Sequence, residues 1–105
     1  MSKFSLFGKL IAKEGERDTL VDILLEAAAS MENIIDCELY IVNVSDEDSN
    51  AVFVYEVWKN ESAHQASLLL EVTQTLIQRA KPLLIGMERI NTLVPRGGKG
   101  ISTPL

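Results

Sequence analysis

The sequence is poor in the residues that build disulfides and metal sites. It contains one cysteine, Cys37, and one histidine, His64, among 105 residues. A single cysteine excludes a disulfide within the chain. The lack of a second histidine or cysteine argues against a zinc site, which draws most of its ligands from these two residue types. We therefore expect no metal.

Long apolar runs and clustered basic residues are also missing. No apolar stretch approaches the ~20 residues of a membrane-spanning helix, and Lys9 and Lys13 interrupt the apolar residues near the start, unlike in a signal peptide. Ten scattered Lys and Arg residues against fifteen Asp and Glu give a net charge of −5, which argues against binding to nucleic acids. These absences predict a soluble cytoplasmic protein that contacts neither membranes nor nucleic acids.

The residues that are present have a composition and a spacing typical of a globular domain. Hydrophobic residues make up 47% of the chain and charged residues 24%. The spacing of apolar residues predicts a strand, a helix, two strands, a helix in two pieces and a last strand. The predicted strands are 4–13, 37–44, 51–58 and 85–94, and the predicted helices are 16–32, 61–70 after an Asn60 cap, and 72–81 before Pro82.

This order of elements is the βαββαβ arrangement of a ferredoxin-like α+β fold. In that fold the helices cover one face of a four-stranded antiparallel sheet. We expect a single domain over residues 1–105, with its core in 4–94 and an irregular tail in 95–105. The polar residues 45–50 predict a hairpin turn between the second and third strands.

The third predicted strand is apolar on both faces. Val52, Val54 and Trp58 point to one side together with Glu56, and the residues between them are also apolar. A sheet with one face in water alternates apolar and polar residues, and this chain has too few helices to cover two faces. We therefore expect a second copy of the chain to cover the other face, and we expect Glu56 to need a partner.

Two segments resemble motifs of a known family. Residues 56–64, Glu-Val-Trp-Lys-Asn-Glu-Ser-Ala-His, resemble the EVW-x-x-x-x-A signature of the antibiotic biosynthesis monooxygenase (ABM) domain family. Residues 37–40, Cys-Glu-Leu-Tyr, resemble its GC-x-x-Y/F motif, with Asp36 in place of the usual glycine. The resemblance extends over about residues 4–94 and rests on several motifs in the right order.

The resemblance implies a homodimer that forms through the sheet face, as a dimeric α/β barrel, with a pocket between helices and sheet in each subunit. Members include enzymes that oxidise aromatic polyketides or quinols with oxygen but without metal or flavin, enzymes that degrade haem, and proteins that isomerise or bind small molecules. Haem degradation is not expected, because those members use an asparagine in the first strand and a histidine on the last helix, whereas this first strand has no asparagine and residues 72–81 have no histidine. The resemblance thus implies no cofactor, and the fold alone does not decide among the remaining activities.

The candidate catalytic residues are His64 and Glu56. Many family members carry a histidine nine residues after the tryptophan, where this chain has Ser67, and His64 lies about one helical turn earlier. Its pKa range makes His64 a candidate base for a phenol or hydroquinone, and the alternative is an exposed histidine near a helix start. Burial would raise the pKa of Glu56 and suit it to proton transfer, and the alternative is an ion pair with Arg79 or Arg89.

The candidate substrate-binding residues are Trp58, Ser67 and Arg79. The resemblance places Trp58 in a pocket wall, and the alternative is a core residue at a strand end. In either case the indole N–H needs a partner, which Glu56 can supply from the same face. Ser67 shares a helix face with His64, and a capping or pocket hydrogen bond is expected there in preference to a nucleophile pair. Arg79 is a candidate cation for an anionic substrate.

The sequence leaves three functions open. The first, which we expect, is a cofactor-independent monooxygenase that oxidises a small aromatic or quinol-type substrate with molecular oxygen. The second is a non-catalytic small-ligand-binding or stress protein. The third is an isomerase or lyase of a small phosphorylated or carbonyl metabolite, which would need a cationic pocket built from Arg79, Arg89 or Lys9.

Overall fold

The computed structural model describes residues 2–101, which form four strands and three helices. The chain has the predicted ferredoxin-like α+β order, with the second helix divided into two. Residues 102–105, the end of the predicted tail, lie outside the described residues. The elements are β1 (Phe4–Ala12), α1 (Arg17–Ser30), β2 (Cys37–Ser45), β3 (Asp48–Trp58), α2 (Glu61–Ser67), α3 (Glu71–Ala80) and β4 (Leu84–Leu93), with a 3-10 turn at Lys81–Leu83.

The four strands form one antiparallel sheet in the order β2-β3-β1-β4. The hairpin places β2 beside β3, and β1 pairs with the other edge of β3. Because β3 is central, its residues 52–58 each have a neighbour on both sides. Glu56, for example, lies opposite Leu6 of β1 and Tyr40 of β2.

The hydrophobic core lies between the sheet and the helices. Val52 and Val54 of β3 belong to it, together with residues of α1 and α3, so this side of β3 faces the helices. Glu56 and Trp58 follow at the same two-residue period and therefore point to the same side, as the sequence predicted. The buried members of the core cluster are Ala12, Leu20, Leu24, Val52, Val54 and Ala80.

Helix α2 begins where the sequence predicted and ends earlier. The side chain of Asn60 caps it, since Asn60 Oδ1 accepts a hydrogen bond from the Ala63 N–H at 2.8 Å. The predicted helix 61–70 stops at Ser67, because Leu70 has an extended backbone with ψ of 146° before α3 begins. Pro82 lies in the 3-10 turn that follows α3, so the chain leaves the helix there as expected.

The β2–β3 hairpin is longer than predicted. The polar segment 45–50 was expected to be a turn, yet the strands continue to a Ser45–Asp48 pair, with only two residues between them. Backbone groups make these ladder bonds, so polar side chains do not prevent them. The Ser45 and Asp48 side-chain oxygens each accept a backbone N–H at 3.2 Å and help to close the turn.

The sheet face turned away from the helices carries aromatic and aliphatic side chains. The rings of Phe7 and Phe53 stack there with their centroids 6.0 Å apart, and Lys9 Nζ lies 5.8 Å from the centre of the Phe53 ring. On neighbouring β2, Ile41 is 44% exposed. We call this surface the open face.

No helix of residues 2–101 is long and apolar enough to cross a membrane, and residues 95–101 contain neither helix nor strand.

Candidate functional site

A hydrogen bond joins Glu56 and Trp58 on the helix-facing side of β3. Trp58 Nε1 donates to Glu56 Oε1 at 3.0 Å, which is the partner that the sequence predicted for the indole N–H. Trp58 is only 1% exposed. The bond satisfies a donor that would otherwise be buried alone, and it fixes the plane of the indole ring at the end of the strand.

His64 lies against two aromatic rings. Its ring centroid is 5.3 Å from that of Phe4 and 5.7 Å from that of Trp58, with the Trp58 ring meeting it edge to face. The Asn60 cap starts α2 so that His64 falls on the side of the helix that faces the sheet. The residue is 7% exposed, so the alternative of a solvent-exposed histidine is wrong.

Ser67 bonds to the backbone of the same helix. Its Oγ donates to the carbonyl oxygen of His64 at 2.5 Å, and the residue is 4% exposed. Since the hydroxyl is bonded to the His64 carbonyl and not to the imidazole, a serine–histidine nucleophile pair is not formed. The bond instead holds the last turn of α2, which carries His64.

An open cavity of about 540 Å³ lies beside His64, between α2 and the sheet. His64, Arg89 and Glu61 supply titratable groups to its wall, whereas Glu56, Trp58 and Ser67 do not line it. The remaining wall is largely apolar. The lining residues are Phe4, Glu61, His64, Gln65, Ala66, Leu68, Leu69 and Arg89.

The environment shifts the pKa values of Glu56 and His64 in opposite directions. Burial raises the pKa of Glu56 above its usual value, while the Trp58 hydrogen bond and the Arg89 charge act in the other direction. Burial also lowers the pKa of His64, helped by the Arg89 charge and opposed by Glu61. The His64 imidazole is therefore neutral at neutral pH, which is the form that accepts a proton.

Sequence reasoning named Arg89 as an ion-pair partner of Glu56 and as one possible cation of a pocket, and the structure places it at the border of the cavity. The β1–β4 register places it opposite Gly8, which adds no side chain on that side. No carboxylate of the described residues lies within 4.0 Å of the guanidinium, so the ion pair of Glu56 with Arg89 is not formed. Within residues 2–101, no carboxylate forms an ion pair with Arg89. Its guanidinium N–H groups can therefore bind an anion in the cavity.

Arg79 lies away from this cavity. It forms an ion pair with Glu26 across a groove of about 390 Å³ between α1 and α3. The alternative ion pair of Arg79 with Glu56 is therefore not formed either. Among the five candidate residues, the structure groups Glu56, Trp58, His64 and Ser67 and places Arg79 elsewhere.

Tyr40 and Cys37 of β2 extend the buried row beside the site. Tyr40 lies opposite Glu56 and Cys37 opposite Trp58. Burial, followed by the charge of Glu56, raises the pKa of the Tyr40 hydroxyl and raises the pKa of Cys37 to about 11. Both groups are protonated at neutral pH, so neither is a base or a thiolate nucleophile there. The period-two pattern of β2 was the signal that could have paired Tyr40 with Glu56.

No group of three or more His, Cys, Asp or Glu residues within 2–101 is arranged to hold a metal ion. The cavity wall therefore offers one neutral imidazole, one guanidinium and the carboxyl group of Glu61 in a largely apolar surround. Such a wall can accept a proton from a weak acid and stabilise the anion that remains.

Solved structures show the same architecture. A Chloroflexus aurantiacus protein assigned to the antibiotic biosynthesis monooxygenases is 38% identical, with a TM-score of 0.86, and the alignment covers 96% of this chain and 100% of that one. A Deinococcus radiodurans protein of the same assignment is 21% identical with a TM-score of 0.73, covering 97% and 98%. The Pseudomonas aeruginosa protein PA3566 is 18% identical with a TM-score of 0.81, covering 90% and 95%. These last two show the fold alone.

No match was found among the curated proteins. The sequence profile of the family described as antibiotic biosynthesis monooxygenase matches residues 4–77, which hold β1 to β3, α2 and most of α3. The profile match extends over most of the chain, including the segments around Trp58 and Tyr40, and the Chloroflexus aurantiacus relative aligns with nearly all of it. The chain therefore belongs to the antibiotic biosynthesis monooxygenase family.

Proposed function

We propose that this protein is a cofactor-independent monooxygenase that oxidises a small phenol or quinol with molecular oxygen. The observation that carries the proposal is the position of His64, which is neutral at neutral pH and borders the cavity beside Arg89. Membership of the family supports a monooxygenase type of reaction. The substrate and the use of oxygen are the parts that the experiments below test.

In the proposed reaction His64 removes the hydroxyl proton of the substrate. The resulting anion is electron-rich at a ring carbon, where oxygen adds and forms a C–O bond. Loss of the ring proton and cleavage of the O–O bond then release one oxygen atom as water and leave the other as a new carbonyl. The substrate supplies all four electrons that reduce the oxygen, so the balance requires no other reductant.

The residues divide these tasks by position. His64 is the better base of the two candidates, since it lines the cavity and Glu56 does not. Arg89 favours the substrate anion by its charge. Glu56 orients Trp58, and Trp58 in turn packs against the edge of the imidazole, so we assign both to positioning.

The alternative of an isomerase or lyase needs a cationic pocket, and the structure supplies one cation. Of Arg79, Arg89 and Lys9, only Arg89 lines the cavity. Arg79 pairs with Glu26, and Lys9 pairs with Asp48 at 3.3 Å. One guanidinium suits a single phenolate better than a phosphorylated metabolite, which favours the monooxygenase.

Oxygen uptake with a panel of hydroxynaphthalenes and hydroquinones tests the proposal. We expect one oxygen molecule consumed per product, no hydrogen peroxide, and one atom of labelled oxygen in the product. Autoxidation would instead release peroxide, which added catalase converts back to oxygen. A non-catalytic binding protein would be protected by these compounds against thermal unfolding and would leave oxygen uptake at its background rate.

We also propose that the open face pairs with a second copy of the chain. The stacked Phe7 and Phe53 rings and the 44% exposed Ile41 support this, because no helix of residues 2–101 covers them. Apolar side chains in such a row are usual at homodimer interfaces. The dimer would leave the His64 cavity accessible, since that cavity lies on the helix side of the sheet.

Replacing Phe53 with aspartate is expected to weaken this dimer by about 100-fold or more, because an unpaired charge buried at an interface is strongly unfavourable. Sedimentation velocity over a concentration series measures the effect. Leu25→Asp, on α1 and 51% exposed, is the matched control and should leave association unchanged. A folded wild-type monomer at micromolar concentration would refute the dimer.

A further inference from the structure

Three consecutive leucines between α2 and α3 are exposed. Leu68, Leu69 and Leu70 are 43%, 83% and 38% exposed, and we call them the leucine segment. Single exposed leucines are ordinary on protein surfaces, but adjacent ones form a patch that marks a binding surface more often. The question is which apolar group this patch meets.

The backbone of the leucine segment is fixed by hydrogen bonds. The three N–H groups donate to the carbonyl oxygens of Gln65, Ala66 and Ser67 at 3.1–3.2 Å. The side chain of Gln74 donates to the carbonyl oxygen of Leu68 at 2.7 Å. These hydrogen bonds give the turn a defined backbone conformation, in which the leucine side chains are exposed.

The patch is continuous with the cavity that holds His64. Leu68 and Leu69 line that cavity together with His64 and Arg89. One wall of a single cavity therefore offers a base and a cation, and another offers aliphatic surface that leads out to solvent. The proposed dimer face lies on the opposite side of the sheet, so a second copy seated there does not cover the leucines.

We infer that the substrate is a hydroxyaromatic compound with an aliphatic side chain. Its hydroxyl oxygen lies at His64 and Arg89, and the chain lies over Leu68 and Leu69. The inference rests on the proposed function for the role of the hydroxyl group. The subsite for the aliphatic chain rests only on the exposure of the leucines and on their place in the cavity wall.

The binding of 4-alkylphenols, from 4-ethylphenol to 4-hexylphenol, tests the subsite. Trp58 is the only tryptophan and packs against His64, so quenching of its fluorescence reports binding, with calorimetry as a second readout. Full removal of a methylene from water improves binding by about fourfold, so we expect about twofold per methylene in a groove that is open on one side. The Leu68→Ser, Leu69→Ser double variant should lose most of this gain.

Leu25→Ser, outside the cavity on α1, is the control and should keep the wild-type gain. Leu69→Ser alone, at an 83% exposed position, preserves the fold and should lose part of the gain. An equal gain in the double variant and the wild type, no gain with chain length, or no binding of any alkylphenol would overturn the inference. The binding measurements need no turnover. If affinity still rises with chain length but no oxygen uptake is found, the proposed function is refuted and the subsite for the aliphatic chain is retained.

Discussion

Replacing His64 with phenylalanine is expected to lower kcat/KM for oxygen-dependent turnover by about 10²–10⁴-fold, the usual contribution of a general base. The phenylalanine ring can keep the packing between Phe4 and Trp58, whose centroids lie 5.3 and 5.7 Å from that of His64. It offers no nitrogen to accept a proton. The comparison therefore removes the base while keeping an aromatic ring at the position, and oxygen uptake with the best substrate of the panel measures it.

The same variant series gives a pH test of the base. Because the pKa of His64 is lowered below its usual 6.5, kcat/KM should be constant around neutral pH and fall as the pH drops through that lowered pKa. Arg89 contributes to the lowering, so Arg89→Gln should move the acidic limb upward, toward 6.5. Glu56→Gln should leave a limb in place, since the titrating group is His64.

Two outcomes would contradict this assignment. If His64→Phe retains activity and His64→Ala loses it, the imidazole has a packing role only. If the wild type and the His64→Ala, Glu56→Gln double variant turn over equally fast, neither residue takes part. Ser62→Ala, at an exposed position on α2 and outside the cavity lining, is the control that should change nothing.

The fold followed from the sequence because two local periods were clear. The helical spacing of Leu20, Leu24 and Ala27 states which side of α1 faces the core, and the alternation in residues 51–58 states that Val52, Val54 and Trp58 share one face of the strand. The structure buries all six of these residues. Element ends were less predictable. The sequence predicted one helix running through Ala63, Ala66, Leu69 and Leu70, whereas the chain turns after Ser67 and begins a new helix at Glu71.

The site was predictable where it depended on one strand or one helix turn. Glu56 and Trp58 lie two residues apart on a strand, so their hydrogen bond needed only the alternation of faces and a donor that required a partner. To predict that Arg89 and Phe4 reach the site, one needs the pairing of β1 with β4 and with β3. The sequence of a single chain does not state that pairing.

Arg79 is a residue that the sequence predicted at the site and that the structure places elsewhere. Its charge made it a candidate for the site, but it turns toward α1, where Glu26 meets it. Which way a helical side chain points depends on how the helix is rotated against its neighbours. The apolar positions Leu76 and Ala80 fix that rotation in α3, and they were visible in the sequence, whereas the position of α1 beside α3 was not.

Trp58→Ala is expected to lower the free energy of unfolding by about 3–5 kcal/mol, the usual cost of removing a large buried aromatic side chain. Trp58 is 1% exposed and packs against His64, so its loss leaves a cavity behind the candidate base. It also leaves Glu56 Oε1 without its donor. Urea unfolding followed by far-UV circular dichroism measures the change, because the variant has no tryptophan fluorescence.

A second pair of variants separates the hydrogen bond from the packing. Trp58→Phe keeps most of the ring and should cost about 1–3 kcal/mol, because the buried carboxylate loses its partner. Combining it with Glu56→Leu removes both partners, so the combined loss should be smaller than the sum of the two single losses. Strictly additive losses would show that the Glu56–Trp58 bond contributes nothing to stability. Leu25→Ala, on the exposed side of α1, should change stability by less than about 0.5 kcal/mol and sets the scale for the comparison.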